Sequence, residues 1–299
     1  SDNSVIAKIN DVNDSVVINF GTGSDLISQS GNFEDEDNTF IMYIDEENVN
    51  FEFYHKNNSS GAYGIYVYEG AKMIFESGSV NASCYGIVVN QDCEITINGG
   101  SFTTRTTSSG EYGVLYISYG GSPEPTRKNS SRITINGGTF STSAGGYGPA
   151  FRDTSTMKIN GGTFKSNVPY TRAVFASMSS THIPGNVEIN GGYYEFTAEY
   201  SYLVDVPANV IVNDCTYVGV KTANVFNISS TNPADLTITV NGGNYTVRTS
   251  PAGCFNYSYA DRVILKGGTI NSNKKLSDSL AAGYHVVDNG NGTFSIVAD

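Results

Sequence analysis

The chain has 299 residues, of which 39% are hydrophobic, 12% aromatic and only 15% charged, a composition that excludes an intrinsically disordered protein. Its formal net charge of −12 excludes a nucleic-acid partner, which would need a clustered basic surface. No apolar run is long enough for a membrane-spanning helix, so we expect no transmembrane segment.

The first 50 residues are acidic and lie outside the repeats that follow. The segments "EDED" at 34–37 and "DEE" at 45–47 fall in a stretch without Lys or Arg between Lys8 and Lys56. A metal site of carboxylate oxygens is one interpretation, and a solvated acidic edge is the other. Because no calcium-loop spacing appears, the solvated edge is favoured. We therefore predict an acidic N-terminal cap with the first coils over 1–50, and no metal or cofactor.

An eight-residue pattern recurs through the middle of the chain. It reads "ITINGGSF" at 95–102, "ITINGGTF" at 133–140, "MKINGGTF" at 157–164 and "VEINGGYY" at 187–194, with worn copies "FESGSV" at 75–80 and "VNDCTY" at 212–217. A repeat of about 22 to 25 residues with insertions fits the spacings. Strict alternation in each copy predicts a half-buried strand, with residues such as Ile95 and Ile97 inside and Thr96 outside.

A second apolar segment precedes each copy, as in "AYGIYVY" at 62–68 and "CYGIVVN" at 84–90. No helical period competes, and the repeat is too short for a propeller blade or a helix pair. The pattern predicts an all-β, single-stranded right-handed parallel β-helix, a solenoid of about nine coils. We expect one domain over 1–299, with coils over 51–270 and a cap over 271–299 made of a short helical turn and a hairpin through Asn289–Gly292.

The Asn-Gly-Gly triplets are interpreted as scaffold. Asn tolerates left-handed backbone and Gly enters it freely, so each triplet is expected to turn the chain at the same corner of each coil. Stacked asparagines would form a hydrogen-bonded ladder, as identical amides do in cross-β stacks. The predicted turn residues are Asn98, Gly99, Gly100, Asn136, Gly137, Gly138, Asn160, Gly161, Gly162, Asn190, Gly191, Gly192, Asn241, Gly242 and Gly243. A predicted aromatic column comprises Phe102, Phe140, Phe164, Tyr194, Tyr217 and Tyr245.

The coils and the tail "LSDSLAAGYHVVDNGNGTFSIV" together resemble the β-helical repeat regions of bacterial cell-surface, adhesin-like proteins of the gut Firmicutes type. The likeness covers roughly 62–299, and the "GY…NGNGTF" tail is its more specific part. The resemblance implies an exported protein displayed on the bacterial cell surface, whose partner is a glycan or a host or microbial protein. It supplies no catalytic residues, and the chain shows no sorting signal or anchor.

Isolated reactive residues do not assemble into a site. The four cysteines, Cys84, Cys93, Cys215 and Cys254, fit packing better than a metal pattern, and a Cys84–Cys93 bridge is possible but not required. The three histidines, His55, His182 and His285, share no motif and are interpreted as surface residues. Asp153 and Asp205 would meet only if the register of neighbouring coils brought them together.

Three functional hypotheses follow. The first is a non-enzymatic surface protein that presents a face for adhesion. The second is a polysaccharide-active enzyme, a lyase or glycoside hydrolase, with an unrecognised site, and the third is a purely structural spacer. An enzyme of the second kind needs two carboxyl groups facing one sugar bond, or a base beside an acidic cluster. The familiar signatures of pectin-cleaving β-helix hydrolases are absent from the sequence, so we predict no catalytic residues.

The "YG" strands are apolar at both alternating positions, so some of their side chains must face outward. Either an insertion such as 119–131 folds over that face, or the face is an exposed apolar and aromatic strip available to a partner or sugar. The favoured interpretation is that these side chains are ordinary covered core or scattered surface residues. Recognition tends to lie on loops of a rigid scaffold. The predicted ligand-binding residues are Tyr66, Tyr68, Tyr112, Tyr116, Tyr119 and Tyr147.

Overall fold

The computed structural model describes residues 39–42, 50–52, 63–67, 72–82, 85–89, 92–104, 113–117, 131–142, 156–169, 171–175, 185–199, 201–206, 208–219, 225–228, 236–247, 261–272 and 276–299. Within these ranges the secondary structure is β-strand, apart from 3-10 turns such as Leu276–Ser279. The strands, numbered in chain order, form long parallel sheets. The protein is therefore all-β, with an arrangement consistent with a β-solenoid.

Sheet A has nine parallel strands, each contributed by the next repeat along the chain. They are β1 (Thr39–Met42), β4 (Lys72–Phe75), β7 (Glu94–Ile97), β10 (Arg132–Ile135), β12 (Thr156–Ile159), β15 (Gly185–Ile189), β18 (Ala208–Val212), β21 (Ile238–Val240) and β23 (Val263–Leu265). The register keeps equivalent residues side by side, so that Ile95, Ile133 and Met157 are direct neighbours.

Sheet B has eleven strands. In each repeat, the strand of sheet B follows the turn that ends the strand of sheet A. They are β2 (Asn50–Glu52), β5 (Ser79–Ala82), β8 (Ser101–Thr104), β11 (Thr139–Thr142), β13 (Thr163–Ser166), β16 (Tyr193–Phe196), β19 (Thr216–Gly219), β22 (Asn244–Val247), β24 (Thr269–Ile270), β26 (Phe294–Ala298) and β25 (Tyr284–Asp288). The strands up to β24 are parallel, whereas β26 and β25 are antiparallel.

Two short parallel sheets come from the apolar segments that precede the repeats. Sheet C comprises β3 (Tyr63–Val67), β6 (Tyr85–Val89) and β9 (Leu115–Ile117), and sheet D comprises β14 (Arg172–Phe175), β17 (Tyr202–Val206) and β20 (Phe226–Ile228). Residues of all four sheets contribute to one hydrophobic core cluster. The predicted alternation in sheet A is confirmed, since Ile95 and Ile97 are buried while Thr96 is partly exposed.

The asparagine ladder is confirmed and is longer than predicted. The amide Nδ2 of Asn136 donates to Oδ1 of Asn98 at 2.8 Å, and the same bond links Asn160 to Asn136 and Asn190 to Asn160 at 2.8 and 2.9 Å. Asn213, from the worn copy, then donates to Asn190 at 2.7 Å, and Asn241 donates to Asn213 at 2.8 Å. At the other end Asn98 donates to the carboxylate of Glu76 at 2.9 Å.

The two glycines of each pair have different roles, which corrects the predicted turn. Only the second is left-handed, as in Gly138, where φ is 102°. A Cβ on the first, Gly137, would lie 2.7 Å from the carbonyl oxygen of Asn98 in the preceding repeat, so this position needs glycine for close approach. Among the described residues only Asp92 is a non-glycine with positive φ. The expectation that asparagine adopts left-handed backbone was therefore wrong.

The aromatic column is confirmed along its first part. Phe102, Phe140, Phe164 and Tyr194 stack face to face, with centroid separations of 5.0, 4.7 and 4.6 Å. Tyr217 and Tyr245 continue the row in register and are buried. Their ring contacts include edge contacts, with Phe196 at 5.9 Å for Tyr217 and with Phe226 at 6.0 Å for Tyr245.

The C-terminal segment forms the predicted helical turn and hairpin. The 3-10 helix is followed by a parallel bridge between Leu280 and Leu265 at the end of sheet A. Strand β26 pairs with β24, and the backbone N–H of Ile296 donates to the carbonyl of Gly268 at 3.0 Å. The last parallel strands of both sheets are thus covered, as expected for edges that would otherwise be open to another chain.

Candidate functional site

The predicted tyrosine site lies mostly outside the described residues. Four of the six tyrosines lie outside the described residues: Tyr68, Tyr112, Tyr119 and Tyr147. The backbones of Tyr66 and Tyr116 lie in β3 and β9, each in register with Val88 of the strand between them. The insertion at 119–131 and the acidic segments 34–37 and 45–47 also lie outside the described ranges, apart from Ser131.

The apolar "YG" strands are buried where their side chains are described. Val88 is 3% exposed and Leu115 is 0% exposed. In sheet D the neighbouring residues Leu203 and Val204, which alternate across the strand, are both fully buried. Both faces of these strands are therefore covered at the side chains that the structure describes, as expected for ordinary core residues.

Of the two carboxylates that the sequence singled out as a possible pair, only Asp205 lies in the described part of the chain. Asp205 forms a hydrogen-bonded ion pair with Nε of Arg172 across β14 and β17, with both side chains 14% exposed. Asp153 lies outside the described ranges. In the described part of the chain no three His, Cys, Asp or Glu side chains lie close enough together to hold a metal ion.

The buried ionisable groups are not accessible to a ligand. Cys215 is a buried thiol whose Sγ lies 3.7 Å from the hydroxyl of Tyr245. Burial raises the pKa of Cys215 to about 12 and also raises the pKa of Tyr194 and Tyr245 above the ordinary value. Cys93 is likewise a buried thiol, as the packing interpretation expects, whereas Cys84 lies outside the described residues.

A small cavity in the described part of the core is too small to hold a ligand. This cavity, bordered by Phe140, Phe164 and Phe196, has a volume of ≈ 10 Å³. That volume is about enough for one water molecule and far below the ~300 Å³ of a small ligand pocket. This cavity therefore offers no ligand site.

The outer face of sheet B is rich in hydroxyl groups and carries one aromatic ring. Its first outward row consists of Ser79, Ser101, Thr139, Thr163, Tyr193, Thr216, Asn244 and Thr269, which are direct strand neighbours. Adjacent residues in such a row are ~4.8 Å apart. Tyr193 is partly exposed and stands between Thr163 and Thr216. Its ring is therefore larger than the short polar side chains of the other residues in this row.

An ion pair lies beside this ring in the second outward row. Nζ of Lys165 is 3.3 Å from Oε2 of Glu195 and 5.8 Å from the centroid of the Tyr193 ring. The side chains of Lys165 and Glu195 are 53% and 31% exposed. We call the group of Tyr193, Thr163, Thr216, Lys165 and Glu195 the Tyr193 patch. It combines an aromatic surface, two hydroxyls, an ammonium and a carboxylate on one flat face.

A second ion pair provides a contrast on sheet A. Lys158 and Glu188 lie on the strands of the same two repeats, with Nζ and Oε2 separated by 3.5 Å and side chains 46% and 42% exposed. Exposed pairs of this kind contribute about 0–1 kcal/mol to stability. The two pairs match in charge and exposure but lie on different sheets, and the Lys165 pair lies beside Tyr193.

Tyr193 is not among the residues predicted from the sequence, although the repeat pattern carries a signal for it. In "INGGYYEF" the second tyrosine occupies the position of the buried aromatic column, so alternation places the first on the outside. The equivalent position is Ser or Thr in the repeats that read "INGGSF" and "INGGTF". A tyrosine at an outward Ser or Thr position was the available clue.

Of the remaining predicted residues, His285 is exposed and its Nδ1 lies 2.9 Å from Oδ1 of Asp299. His55 and His182 lie outside the described residues. No helix within the described ranges is long and apolar enough to cross a membrane.

The chain matches no protein-family model, no curated protein and no solved structure.

Proposed function

We propose that the protein is a right-handed parallel β-helix of about nine coils that acts without catalysis, as an exported bacterial cell-surface protein that presents a face for adhesion. Its resemblance to adhesin-like repeat proteins supports this localisation and allows a glycan or a host or microbial protein as partner. The Tyr193 patch is the observation that favours a glycan.

The chemistry of the patch suits a sugar ring. A pyranose has an apolar C–H face and a rim of hydroxyl groups, and an aromatic side chain offers a flat apolar surface with a polar tip. Lys165 donates hydrogen bonds, Glu195 accepts them, and the hydroxyls of Thr163 and Thr216 do both. Because the ion pair adds little stability in solvent, its two charged groups remain available to exchange their mutual contact for sugar hydroxyls.

A glycan array with the purified chain, read together with an assay for reducing-sugar release, tests this proposal. We expect binding without sugar release. Tyr193→Thr places in β16 the residue that both neighbouring strands already carry, so the fold should be unaffected. Because buried aromatic contacts are common energetic hot spots, this change should weaken binding about tenfold or more.

The two ion pairs supply the matched control. Lys165→Ala with Glu195→Ala should weaken glycan binding, whereas Lys158→Ala with Glu188→Ala should leave it unchanged. Sugar release would contradict the non-enzymatic assignment, and an array without any bound glycan would contradict the proposed ligand. Binding that survives Tyr193→Thr but is lost in Tyr119→Ala would place the site at the insertion predicted from the sequence.

A further inference from the structure

Seven Asn–Gly dipeptides occur in the sequence, and all lie within the described residues. They are Asn98–Gly99, Asn136–Gly137, Asn160–Gly161, Asn190–Gly191, Asn241–Gly242, Asn289–Gly290 and Asn291–Gly292. A glycine after asparagine leaves its backbone nitrogen sterically free to attack the side-chain Cγ, because glycine has no Cβ. This attack closes a succinimide ring and releases ammonia. The seven dipeptides differ in the hydrogen bonds that must break before the side-chain Cγ and the glycine nitrogen can react.

Five of the seven Asn–Gly asparagines belong to the ladder, and their side-chain amide nitrogen, the leaving group, is restrained by hydrogen bonds. The Nδ2 of each donates a hydrogen bond to the preceding rung or to Glu76. In the middle of the ladder the Oδ1 is engaged as well, as in Asn136, which accepts from Asn160 at 2.8 Å. To reach the following nitrogen, the side chain of Asn136 must rotate and break bonds to both neighbouring repeats. This requirement slows ring closure.

Asn289 is restrained at both reacting groups. Its Nδ2 donates to Oγ1 of Thr293 at 3.0 Å and to Oγ of Ser295 at 2.9 Å. The nucleophile is also engaged, because the backbone N–H of Gly290 donates to Oδ1 of Asp288 at 2.8 Å. Ring closure at this dipeptide therefore requires the loss of three hydrogen bonds.

Asn291 has the opposite arrangement. Its Oδ1 accepts from the backbone N–H and from the hydroxyl of Thr293, at 3.1 and 2.6 Å. These two bonds form an Asx turn, which holds the side-chain oxygen of Asn291 against Thr293. In the described part of the chain neither Nδ2 of Asn291 nor the nitrogen of Gly292 makes a hydrogen bond. Both residues are exposed, and a Cβ on Gly292 would meet nothing within 4 Å.

The two donors from Thr293 also favour the chemistry. As the nitrogen of Gly292 adds to Cγ, negative charge develops on Oδ1, and donors aimed at that oxygen stabilise it. The leaving amide and the nucleophile both face solvent, which supplies the base and the acid. Asn291–Gly292 thus has a polarised side-chain carbonyl and no hydrogen bonds to break at either reacting nitrogen.

We propose that Asn291–Gly292 is a site of spontaneous modification by deamidation. Hydroxide removes the N–H proton of Gly292, the nitrogen forms a bond to Cγ of Asn291, and the C–N bond to the side-chain amide breaks with release of ammonia. Water then opens the succinimide at either carbonyl and gives aspartate or isoaspartate. Each event adds one negative charge to the hairpin that covers β24, and isoaspartate also lengthens the main chain there by one methylene group.

Peptide mapping by mass spectrometry of the folded protein, incubated in mildly alkaline buffer, tests this site. Asn291 should convert roughly tenfold or more faster than any ladder asparagine, since the ladder bonds must first be broken. In urea-denatured chains the seven dipeptides should convert at similar rates. Equal rates for Asn291 and Asn136 in the folded protein, or faster conversion of Asn289, would overturn the proposal.

Two variants test the assigned contacts without altering a glycine. Thr293→Val removes the hydroxyl donor to Asn291 and should slow its conversion severalfold. The same variant removes one partner of Asn289, so conversion at Asn289 should rise. Ser295→Ala is the matched control, because it frees Asn289 while leaving both donors to Asn291 in place. Faster conversion of Asn291 in Thr293→Val would show that the turn protects the site, and would contradict the proposal.

Discussion

Replacing Asn160 by alanine removes one rung from the middle of the asparagine ladder. The change deletes two hydrogen bonds, the donation from Asn160 to Asn136 at 2.8 Å and the donation from Asn190 to Asn160 at 2.9 Å. A typical hydrogen bond contributes about 0.5–1.5 kcal/mol net, so the two together are worth about 1–3 kcal/mol. The ladder is exposed, and water can partly satisfy the separated amides. We therefore expect a loss in the lower half of that range.

Urea unfolding followed by far-ultraviolet circular dichroism measures this loss. Thr156→Ala is the control, because Thr156 lies on an exposed strand position of the same repeat, outside the ladder. It should change the free energy of unfolding by less than about 0.5 kcal/mol. The double variant of Asn136 and Asn160 should be less destabilised than the sum of the single variants, because the two residues share one bond.

Two results would refute the ladder as a source of stability. The first is an Asn160→Ala variant no less stable than Thr156→Ala, which would mean that water replaces the amide bonds without cost. The second is strict additivity of Asn136→Ala and Asn160→Ala, which would mean that the two side chains act on stability independently.

Three further outcomes can be checked with the same unfolding assay. Glu76→Lys should destabilise more than Glu76→Gln, because lysine would point a donor at the first amide of the ladder whereas glutamine keeps an acceptor. Gly161→Ala and Gly162→Ala should both cost about 1–3 kcal/mol, the first because its Cβ would lie 2.7 Å from a backbone oxygen and the second because φ is 107°. The contribution of Cys215 to stability should be fully present below pH 9.0 and should fall as pH rises toward about 12, because the folded-state pKa of Cys215 is raised from 9.0 to about 12 and the unfolded chain releases this proton first. Burial also raises the pKa of Tyr194 and Tyr245, so part of the tyrosine absorbance change in an alkaline titration should appear only when the chain unfolds.

The parts of the fold that depend on local alternation could be predicted from the sequence. A period of two decides which residues face inward, and a repeated octapeptide requires that its copies stack in register. Asn213 shows where the prediction was incomplete. Its repeat reads "VNDCTY" and lacks the glycine pair, yet the ladder needs only the asparagine, so Asn213 donates to Asn190 as the other rungs do.

Contacts that depend on insertions could not be predicted. Arg172 and Asp205 are 33 residues apart, and their pairing depends on how β14 aligns with β17, which the octapeptide repeat does not determine. Phe75 is a second example. It occupies a strand position filled by Ile97 in the next repeat, while Val80 occupies the position of Phe102. The ring centroids of Phe75 and Phe102 are nevertheless 4.8 Å apart. In this repeat the large side chain, Phe75, lies on sheet A and the smaller one, Val80, lies on sheet B.

The ends of the ladder carry a further pattern that follows from its polarity. Every rung donates toward the N-terminal repeat, so the amide dipoles align, with their positive end at Asn98 and their negative end at Asn241. Glu76, an anion, accepts at the positive end. Lys266 follows Leu265 as Asn241 follows Val240, so a cation occupies the equivalent position after the last rung. Reversing the amides would set Oδ1 of Asn98 against the carboxylate of Glu76. The two charges therefore favour the observed direction, as charged residues do at the ends of a helix.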